Sequence, residues 1–243
     1  MIDFHTHVDL YRSPLRVAER TNRENLFTLA VTTSPRAWKS TSQMFRRFQN
    51  IHVALGMHPE IVDEKYLELG MLLDGIEKEK FVGEVGLDGS LGAGASFKRQ
   101  LFVFESVVRR CEECGSRVLS IHSRNAVKDV LTILRKYPRC GVKILHWFSG
   151  SIAELDEALN LGCMFSVNRL MTMTRKWRTM AEHIPFDRLL PETDGPFAMF
   201  AGRTIYPWEA GEVFPALSAQ YGIDCKGVER RLWTNLKTIL DVI

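Results

Sequence analysis

Histidines and carboxylates recur along this chain directly after short apolar runs. The set comprises His5, His7, His58, Glu84, His122, His146 and Asp194. It includes five of the seven histidines in the chain. Imidazole nitrogens and carboxylate oxygens are ligands of divalent cations, and cations held in this way activate water for hydrolysis. The residue types therefore predict a metal-dependent hydrolase.

The first two histidines are separated by a single residue. On an extended strand, residues two apart point to the same side, so His5 and His7 can ligate the same ion. One H-x-H pair often arises by chance, and the prediction therefore depends on the rest of the set. Glu84 lies in an apolar segment between Gly83 and Gly86, where an unpaired buried carboxylate would be costly. Two cations that share Glu84 would neutralise it, and the alternative is a salt bridge under a loop.

The later members of the set can complete a second ion site. His122 follows the apolar residues 118–121, and His146 follows residues 142–145. Either histidine alone is more typical of a hydrogen-bonded imidazole than of a ligand, but together they offer two nitrogen ligands. Asp194 follows the last apolar run and can both ligate the first ion and accept the proton of the attacking water. Asp194 and Glu84 are the candidate catalytic carboxylates.

These side chains need a scaffold that brings distant strand ends together. The intervening stretches have helical periodicity, most clearly at residues 97–114, 126–137 and 152–161. Alternating strands and helices favour a parallel sheet, and eight such units favour a closed TIM-type (β/α) barrel, whose active site forms at the carboxyl ends of its strands. An open doubly wound sheet is the alternative. The eight candidate strands are residues 1–4, 26–31, 51–55, 81–85, 118–121, 142–145, 163–167 and 189–190.

Length and composition indicate the number of domains and the classes of partner that are compatible with this prediction. A chain of 243 residues with 45% hydrophobic residues is typical of one complete barrel, so we expect a single domain over residues 1–243. The formal net charge of +3 neither requires nor excludes a polyanionic partner. The five cysteines form no disulfide framework, and Cys111 and Cys114 read as thiols one turn apart at a helix end. With no signal or spanning segment evident, we expect a cytoplasmic protein without membrane contact.

Six ordered motifs resemble the TatD family of metal-dependent deoxyribonucleases. They extend across nearly the whole chain, and their order makes the match specific, although each alone would be weak. The motifs are Asp-Phe-His-Thr-His at 3–7, Gly-Met-His-Pro at 56–59, Gly-Glu-Val-Gly-Leu-Asp at 83–88, Ile-His-Ser-Arg at 121–124, His-Trp-Phe-Ser-Gly at 146–150 and Glu-Thr-Asp-Gly-Pro at 192–196.

The resemblance implies an amidohydrolase-type TIM barrel with two divalent ions that hydrolyses phosphodiester bonds in DNA. It implies that one ion is held by His5, His7, Glu84 and Asp194, and the other by Glu84, His122 and His146. His58 matches a family histidine, for which we infer a role in contacting phosphate or a third cation. The alternative for His58 is a bond to a loop carbonyl. The donor set suits zinc, manganese or nickel, with magnesium less favoured by so many nitrogens.

Substrate binding is expected from basic residues near the same strand ends. Arg124 lies two residues after His122, and Lys39 and Arg169 also follow predicted strands. They favour a DNA substrate, as a single strand or as ends, although ordinary surface charge is the alternative for each residue. The chain departs from the family at Gly89 and Ser90, where an aromatic is usual, and at residues 205–209. Both departures lie in loops expected on the substrate side.

Several blocks are similar to one branch of the family, the TatD-type nuclease component of Qat anti-phage defence systems. They are the opening residues 3–11, residues 30–39 and Thr-Asp-Gly-Pro-Phe at 193–197. This branch implies other Qat defence proteins as partners. Two rival functions stay open: hydrolysis of a small ester, amide or nucleotide by the same superfamily chemistry, and service mainly as a subunit of a defence complex.

Overall fold

The computed structural model describes every residue of the chain except Leu91 and Ala93. Each of the eight predicted apolar runs overlaps a strand, which confirms their placement. A short antiparallel hairpin of two further strands, β9 and β10, follows them and was not predicted. The strands, in chain order, are β1 Ile2–Thr6, β2 Phe27–Val31, β3 Ile51–Ala54, β4 Phe81–Gly86, β5 Val118–His122, β6 Val142–His146, β7 Met164–Val167, β8 Leu189–Pro191, β9 Met199–Phe200 and β10 Arg203–Thr204.

Helices fill the intervals between the strands. Short 3₁₀ helices occur at Val8–Leu10, Pro59–Ile61, Tyr66–Glu68, Phe186–Arg188 and Pro207–Val213. The α-helices, in chain order, are α1 Pro14–Glu24, α2 Pro35–Phe45, α3 Val62–Lys65, α4 Leu69–Ile76, α5 Ala95–Cys114, α6 Val127–Lys136, α7 Ile152–Asn160, α8 Arg169–Thr172, α9 Arg175–Ala181, α10 Phe214–Tyr221 and α11 Cys225–Leu240. Among the described residues, no helix is both long enough and apolar enough to span a bilayer.

The chain divides into two compact units, each built from separate segments. Unit 1 comprises Met1–Ala30, Met44–His52 and Phe165–Val242. Within it, β7 pairs with β8 in parallel, and β1 pairs with β2 in parallel. Just beyond β8, the N–H of Asp194 donates to the carbonyl of His5 at 2.8 Å, so the end of β8 lies beside the end of β1.

Unit 2 comprises Val31–Gln43 and Val53–Met164, with the terminal Ile243. Here β4, β5 and β6 form consecutive parallel pairs, and Leu55, just after β3, bridges in parallel to Val82 of β4. Parallel neighbours place their carboxyl ends at one edge, which is where the chemistry-bearing residues of this unit follow their strands. The single domain over residues 1–243 stays a prediction.

Burial explains why these segments adopt these elements. Apart from the β9–β10 hairpin, the strands are rich in apolar residues and most of their side chains are buried, as expected for parallel strands covered on both faces. Helix α6 shows the complementary pattern, with buried apolar residues at helical spacing and charged residues elsewhere on its surface. Helix α5 ends where glycine predicts: Gly115 adopts a positive φ of 65°, and its N–H donates to the carbonyl of Cys111.

A buried guanidinium lies at the edge of unit 2 where the strands begin, opposite their carboxyl ends. Arg117 immediately precedes β5, and its side chain donates to the carbonyl oxygens of Ile76 at 2.8 Å, Glu77 at 2.9 Å and Gly115 at 2.6 Å. Two of these acceptors terminate α4, where the carbonyl groups have no partners inside the helix. The positive charge also faces the negative end of the α4 dipole, so Arg117 ties this helix to the start of β5.

Candidate functional site

In unit 2, one buried carboxylate is contacted by three imidazoles. Oxygen Oε1 of Glu84 lies 2.7 Å from His122 Nδ1, 2.9 Å from His146 Nε2 and 3.3 Å from His58 Nε2. Glu84 is on β4, while His122 and His146 are the last residues of β5 and β6. His58 reaches the same carboxylate from the loop after β3, where its N–H donates to the carbonyl of Thr33.

A second carboxylate approaches His122 from its other side. Asp88 Oδ2 lies 2.8 Å from His122 Nε2. Burial alone would lower the pKa of His122, but hydrogen bonding to Asp88 and Glu84 and their charges outweigh burial and raise its pKa to about 10. Burial would in turn raise the pKa of Asp88, but the bond to His122 and the bonds from Ser90 lower it. We call His58, Glu84, Asp88, His122 and His146 the β4–β6 cluster.

The β4–β6 cluster has the chemistry of a cation site. His58, Glu84 and His122 each offer a ligand atom, and these atoms all lie within 4.8 Å of one another. His146 Nε2 lies 3.3 Å from His122 Nδ1 and 2.9 Å from the Glu84 carboxylate. Imidazole nitrogens gathered around one buried carboxylate fit a divalent transition metal such as zinc. The donors present therefore fit the cation that the sequence predicts.

Unit 1 carries its own group of candidate ligands, which we call the β1–β8 cluster: His5, His7 and Asp194. Oxygen Oδ1 of Asp194 lies 3.6 Å from His5 Nε2 and 3.7 Å from His7 Nε2, farther than a hydrogen bond. The His5 and His7 rings meet edge to face, with centroids 5.4 Å apart. Phe197, 62% exposed, packs edge-on against the His7 ring at 5.0 Å.

Backbone hydrogen bonds set the geometry of the β1–β8 cluster. Besides the bond from Asp194 to His5, the N–H of His7 donates to the carbonyl of Gly195 at 2.7 Å. The buried Asp3 carboxylate accepts the N–H of Thr193 at 3.0 Å and its hydroxyl at 2.5 Å. Burial raises the pKa of Asp3, against the effect of these bonds. Asp194 itself has a φ of 53°, an unusual conformation for a residue other than glycine.

The predicted substrate-binding residues lie in different environments. Arg124 and Lys39 are exposed and belong to unit 2. Arg169, at the start of α8, forms an ion pair with Glu212, and its guanidinium stacks 3.6 Å from the centroid of Phe200. The charge of Arg169 is thus partly neutralised by Glu212. The roles of Arg124, Lys39 and Arg169 in binding stay predictions.

Both departures from the family pattern have a packing reason. A Cβ at Gly89 would overlap the carbonyl oxygen of Asn125, so an aromatic cannot enter there without moving the loop. At the second departure, Tyr206 lies between two aromatic neighbours, with ring centroids 5.2 Å from Tyr11 and 4.7 Å from Trp208. The guanidinium of Arg20 lies 3.9 Å from the Trp208 centroid. This segment is therefore packed by its own aromatic stack.

Sequence reasoning missed three polar residues that belong to these clusters or bond beside them, namely Asp88, Asp3 and Thr193. Asp88 ends the quoted motif at 83–88, and its position directly after an apolar strand was a usable signal. Asp3 opens the first motif, and Thr193 precedes Asp194 in the last. Nothing in their spacing says that Asp3 and Thr193 bond to each other, since 190 positions separate them.

Comparison with known proteins identifies a family over nearly the whole chain. A family model described as TatD related DNase matches residues 2–241. The uncharacterized metal-dependent hydrolase YjjV of Escherichia coli (strain K12) is 28% identical over 207 residues, covering 80% of this chain and 78% of YjjV. The uncharacterized metal-dependent hydrolase YabD of Bacillus subtilis (strain 168) is 30% identical over 207 residues, covering 81% of this chain and 80% of YabD.

Solved structures agree on the fold. The crystal structure of Escherichia coli YjjV, a TatD homologue, matches with a TM-score of 0.86 and 23% identity, covering 98% of this chain and 97% of that chain. An amidohydrolase from Saccharomyces cerevisiae matches with a TM-score of 0.79 and 17% identity, covering 98% and 99% of the two chains. The predicted fold class, a TIM-type α/β barrel of the TatD kind, is confirmed, and the open doubly wound alternative is set aside.

Proposed function

This chain belongs to the TatD family of metal-dependent hydrolases, and from that premise we propose that it is a deoxyribonuclease that uses two divalent cations. The observation that carries the proposal is the β4–β6 cluster, in which the buried Glu84 carboxylate meets three imidazoles at 2.7–3.3 Å. A buried acidic group surrounded by nitrogen ligands favours a cation-dependent hydrolase over a binding module.

The proposed ligands are those implied by the family motifs. His5, His7, Glu84 and Asp194 would hold one cation, and Glu84, His122 and His146 the other. Bound divalent cations would polarise the phosphodiester and lower the pKa of water, and zinc, manganese, nickel or magnesium can supply this chemistry. Glu84 as a ligand shared by both cations stays a prediction from the motifs.

The remaining steps belong to side chains of this chain. Asp194 would accept the proton of the attacking water, because its carboxylate is buried beside two imidazoles and its backbone N–H donates to the carbonyl of His5 at the end of β1. His58 would donate a hydrogen bond to a phosphate oxygen. Its Nδ1 accepts the N–H of Glu60 at 3.2 Å, which leaves the proton of a neutral ring on Nε2, the atom that faces Glu84. Arg124 and Lys39 would contact neighbouring phosphates.

The test combines metal analysis with DNA hydrolysis. End-labelled single-stranded and double-stranded DNA are incubated with purified protein, with Asp194→Asn, and with Asp187→Asn, a matched change at an exposed aspartate of unit 1. We expect Asp194→Asn to lose about 10²–10⁴-fold in rate and still bind DNA, because an amide cannot take up the proton. Asp187→Asn should match wild type.

Two outcomes would redirect the proposal. Metal-loaded wild type that cleaves no DNA but hydrolyses a small ester or amide would favour the small-substrate alternative. Wild-type rates in Asp194→Asn would remove this residue from proton transfer.

We further propose, from the branch similarity, that the chain acts with other Qat defence proteins. Plaque counts in cells carrying the complete system, with wild type or Asp194→Asn, test this role, and equal protection by both would count against a nuclease contribution.

A further inference from the structure

The β4–β6 cluster contains one carboxylate that the proposed ligand set does not use. Asp88 is buried, with only 3% of its surface exposed, and it contacts the imidazole of a proposed ligand. We propose that Asp88 is a positioning residue that fixes the ring orientation and proton position of His122, so that Nδ1 is the atom offered to the cation. This inference rests on the cation site of the proposed function but not on the identity of the substrate.

The two nitrogens of His122 face different partners. Nδ1 lies 2.7 Å from the Glu84 carboxylate and 3.3 Å from His146 Nε2, among the other candidate ligand atoms. Nε2 lies 2.8 Å from Asp88 Oδ2, on the other side of the ring. A neutral imidazole carries one N–H, and a carboxylate can only accept. A cation that takes the Nδ1 lone pair leaves the ring with a single N–H, on Nε2, and Asp88 is placed to accept it.

Asp88 is itself held in place by contacts on two sides. Its Oδ1 accepts the N–H of Ser90 at 2.8 Å. Its own N–H donates at 2.8 Å to the side-chain oxygen of Gln100, a buried residue of α5. The loop is further tied to the segment after β5, because the N–H of Gly89 donates to the carbonyl of Arg124. The carboxylate is thus preorganised by the backbone and a helix, as a ligand-orienting group requires.

The alternative role of Asp88 is to stabilise its loop, since the bond from Ser90 forms without any cation. The two roles differ in what they predict for the ring of His122. A loop-stabilising Asp88 affects the free energy of unfolding, whereas an orienting Asp88 affects cation affinity and the proton on Nε2. Removing partners that orient ligands in this way typically lowers metal affinity by about 10–100-fold.

The experiment measures Zn²⁺ binding to the full chain by competition with a chromophoric chelator. The variants are Asp88→Asn, Asp88→Ala and Asp74→Asn, the last being the same change at an exposed aspartate of unit 2. We expect Asp88→Asn to raise the dissociation constant of one Zn²⁺ equivalent by about 10-fold and Asp88→Ala by up to about 100-fold. The amide retains an acceptor for Nε2–H, so its effect is smaller. Asp74→Asn should bind Zn²⁺ like wild type.

Nitrogen-15 NMR of the histidine rings in the Zn²⁺-loaded protein supplies the second readout. The Nε2–H signal of His122, assigned by its absence in His122→Gln, should be present in wild type and Asp74→Asn and be lost to solvent exchange in Asp88→Ala. Unchanged Zn²⁺ affinity in Asp88→Asn and Asp88→Ala, or weaker binding by Asp88→Ala with its Nε2–H signal intact, would overturn the proposal. If Asp88→Ala does not fold, the Zn²⁺ affinity of Asp88→Asn decides.

DNA cleavage is assayed in parallel so that the two proposals fail separately. A wild-type protein that binds Zn²⁺ and shows the Asp88 effects but cleaves no DNA would retain the positioning role and lose the nuclease. A protein that cleaves DNA, with Asp88 variants that bind Zn²⁺ normally, would retain the nuclease and lose the positioning role.

Discussion

The two ligand clusters are assembled in different ways. In the β4–β6 cluster, carboxylates touch imidazoles directly, with Glu84 and Asp88 at 2.7 and 2.8 Å from the two nitrogens of His122. In the β1–β8 cluster, the Asp194 carboxylate lies 3.6–3.7 Å from its imidazoles. There, backbone bonds between neighbouring strand ends and the Asp3–Thr193 bonds set the positions.

The difference teaches where each cluster is vulnerable. Direct charge-assisted contacts are strong. When one partner of a buried pair is removed, the desolvation cost of the remaining group is no longer offset by a hydrogen bond. We therefore expect the β4–β6 cluster to respond to changes of side-chain charge. The β1–β8 cluster should respond to changes that loosen the strand ends, even where no ligand is altered.

The largest effect is expected from Glu84→Gln. Three imidazoles contact this carboxylate, and a neutral amide would remove the charge that attracts a cation to them. Cation content should fall at both proposed sites, and DNA hydrolysis should fall at least about 100-fold. His5→Ala should mainly empty one site. Elemental analysis after gel filtration measures the content, with Glu64→Gln, an exposed glutamate of unit 2, as the control. A full complement of metal in Glu84→Gln would refute its bridging role.

A backbone change next to His122 comes second. Gly86 has a φ of 146°, and an added Cβ would overlap the carbonyl oxygen of His122. Strain and overpacking together should lower the free energy of unfolding of Gly86→Ala by roughly 3 kcal/mol. Gly70→Ala, in α4 with open space around its Cβ, is the control and should be neutral or slightly stabilising. Urea denaturation measures both, and equal stabilities would contradict the close approach of these backbones.

The β1–β8 cluster should weaken when its support is removed. Thr193→Val deletes the hydroxyl that donates to the buried Asp3 carboxylate, leaving that carboxylate one donor short. The free energy of unfolding should fall by about 1–2 kcal/mol. Thr238→Val, at an exposed hydroxyl on α11, should stay within about 0.5 kcal/mol of wild type. Equal effects of the two changes would mean that the Asp3 bond does not secure the strand end.

The smallest effects are expected from single basic residues. Arg124→Ala should lower the log–log slope of single-strand binding against salt by about 0.7, because one phosphate contact is lost. Arg169→Ala should change the slope less, since Glu212 already neutralises Arg169. Arg109→Ala, on the exposed surface of α5, provides a control of equal charge. A steeper loss for Arg169 than for Arg124 would reverse this order.

The strands and the ligand types were predictable from the sequence because apolar runs and residue spacing report burial directly. The eight strands were placed to within a few residues, and the end of α5 followed from Gly115. The β9–β10 hairpin could not be predicted, because its strands have two residues each, Met199 is exposed, and no apolar period is present to detect. The partner of Arg169 was also hidden, since Glu212 lies 43 positions later.

The sequence also could not predict where side chains point in the loops beyond the strand ends. Asp88 and Glu84 both stand in one quoted motif, but only the fold shows that they contact opposite nitrogens of His122. Such pairings depend on loop paths, which periodicity does not report. For this reason the proposed ligands could be named from the sequence, whereas the residue that orients one of them required the structure.

The buried guanidinium of Arg117 bears on how such a protein can change over evolutionary time. It binds three carbonyl groups at the start of β5, while His122 stands at the end of the same strand. Stability in unit 2 is thus anchored at the edge remote from the chemistry. Loops at the reactive edge can accept new sequences without disturbing that anchor. The same scaffold could in this way acquire different substrates through loop substitutions while its folding remained intact.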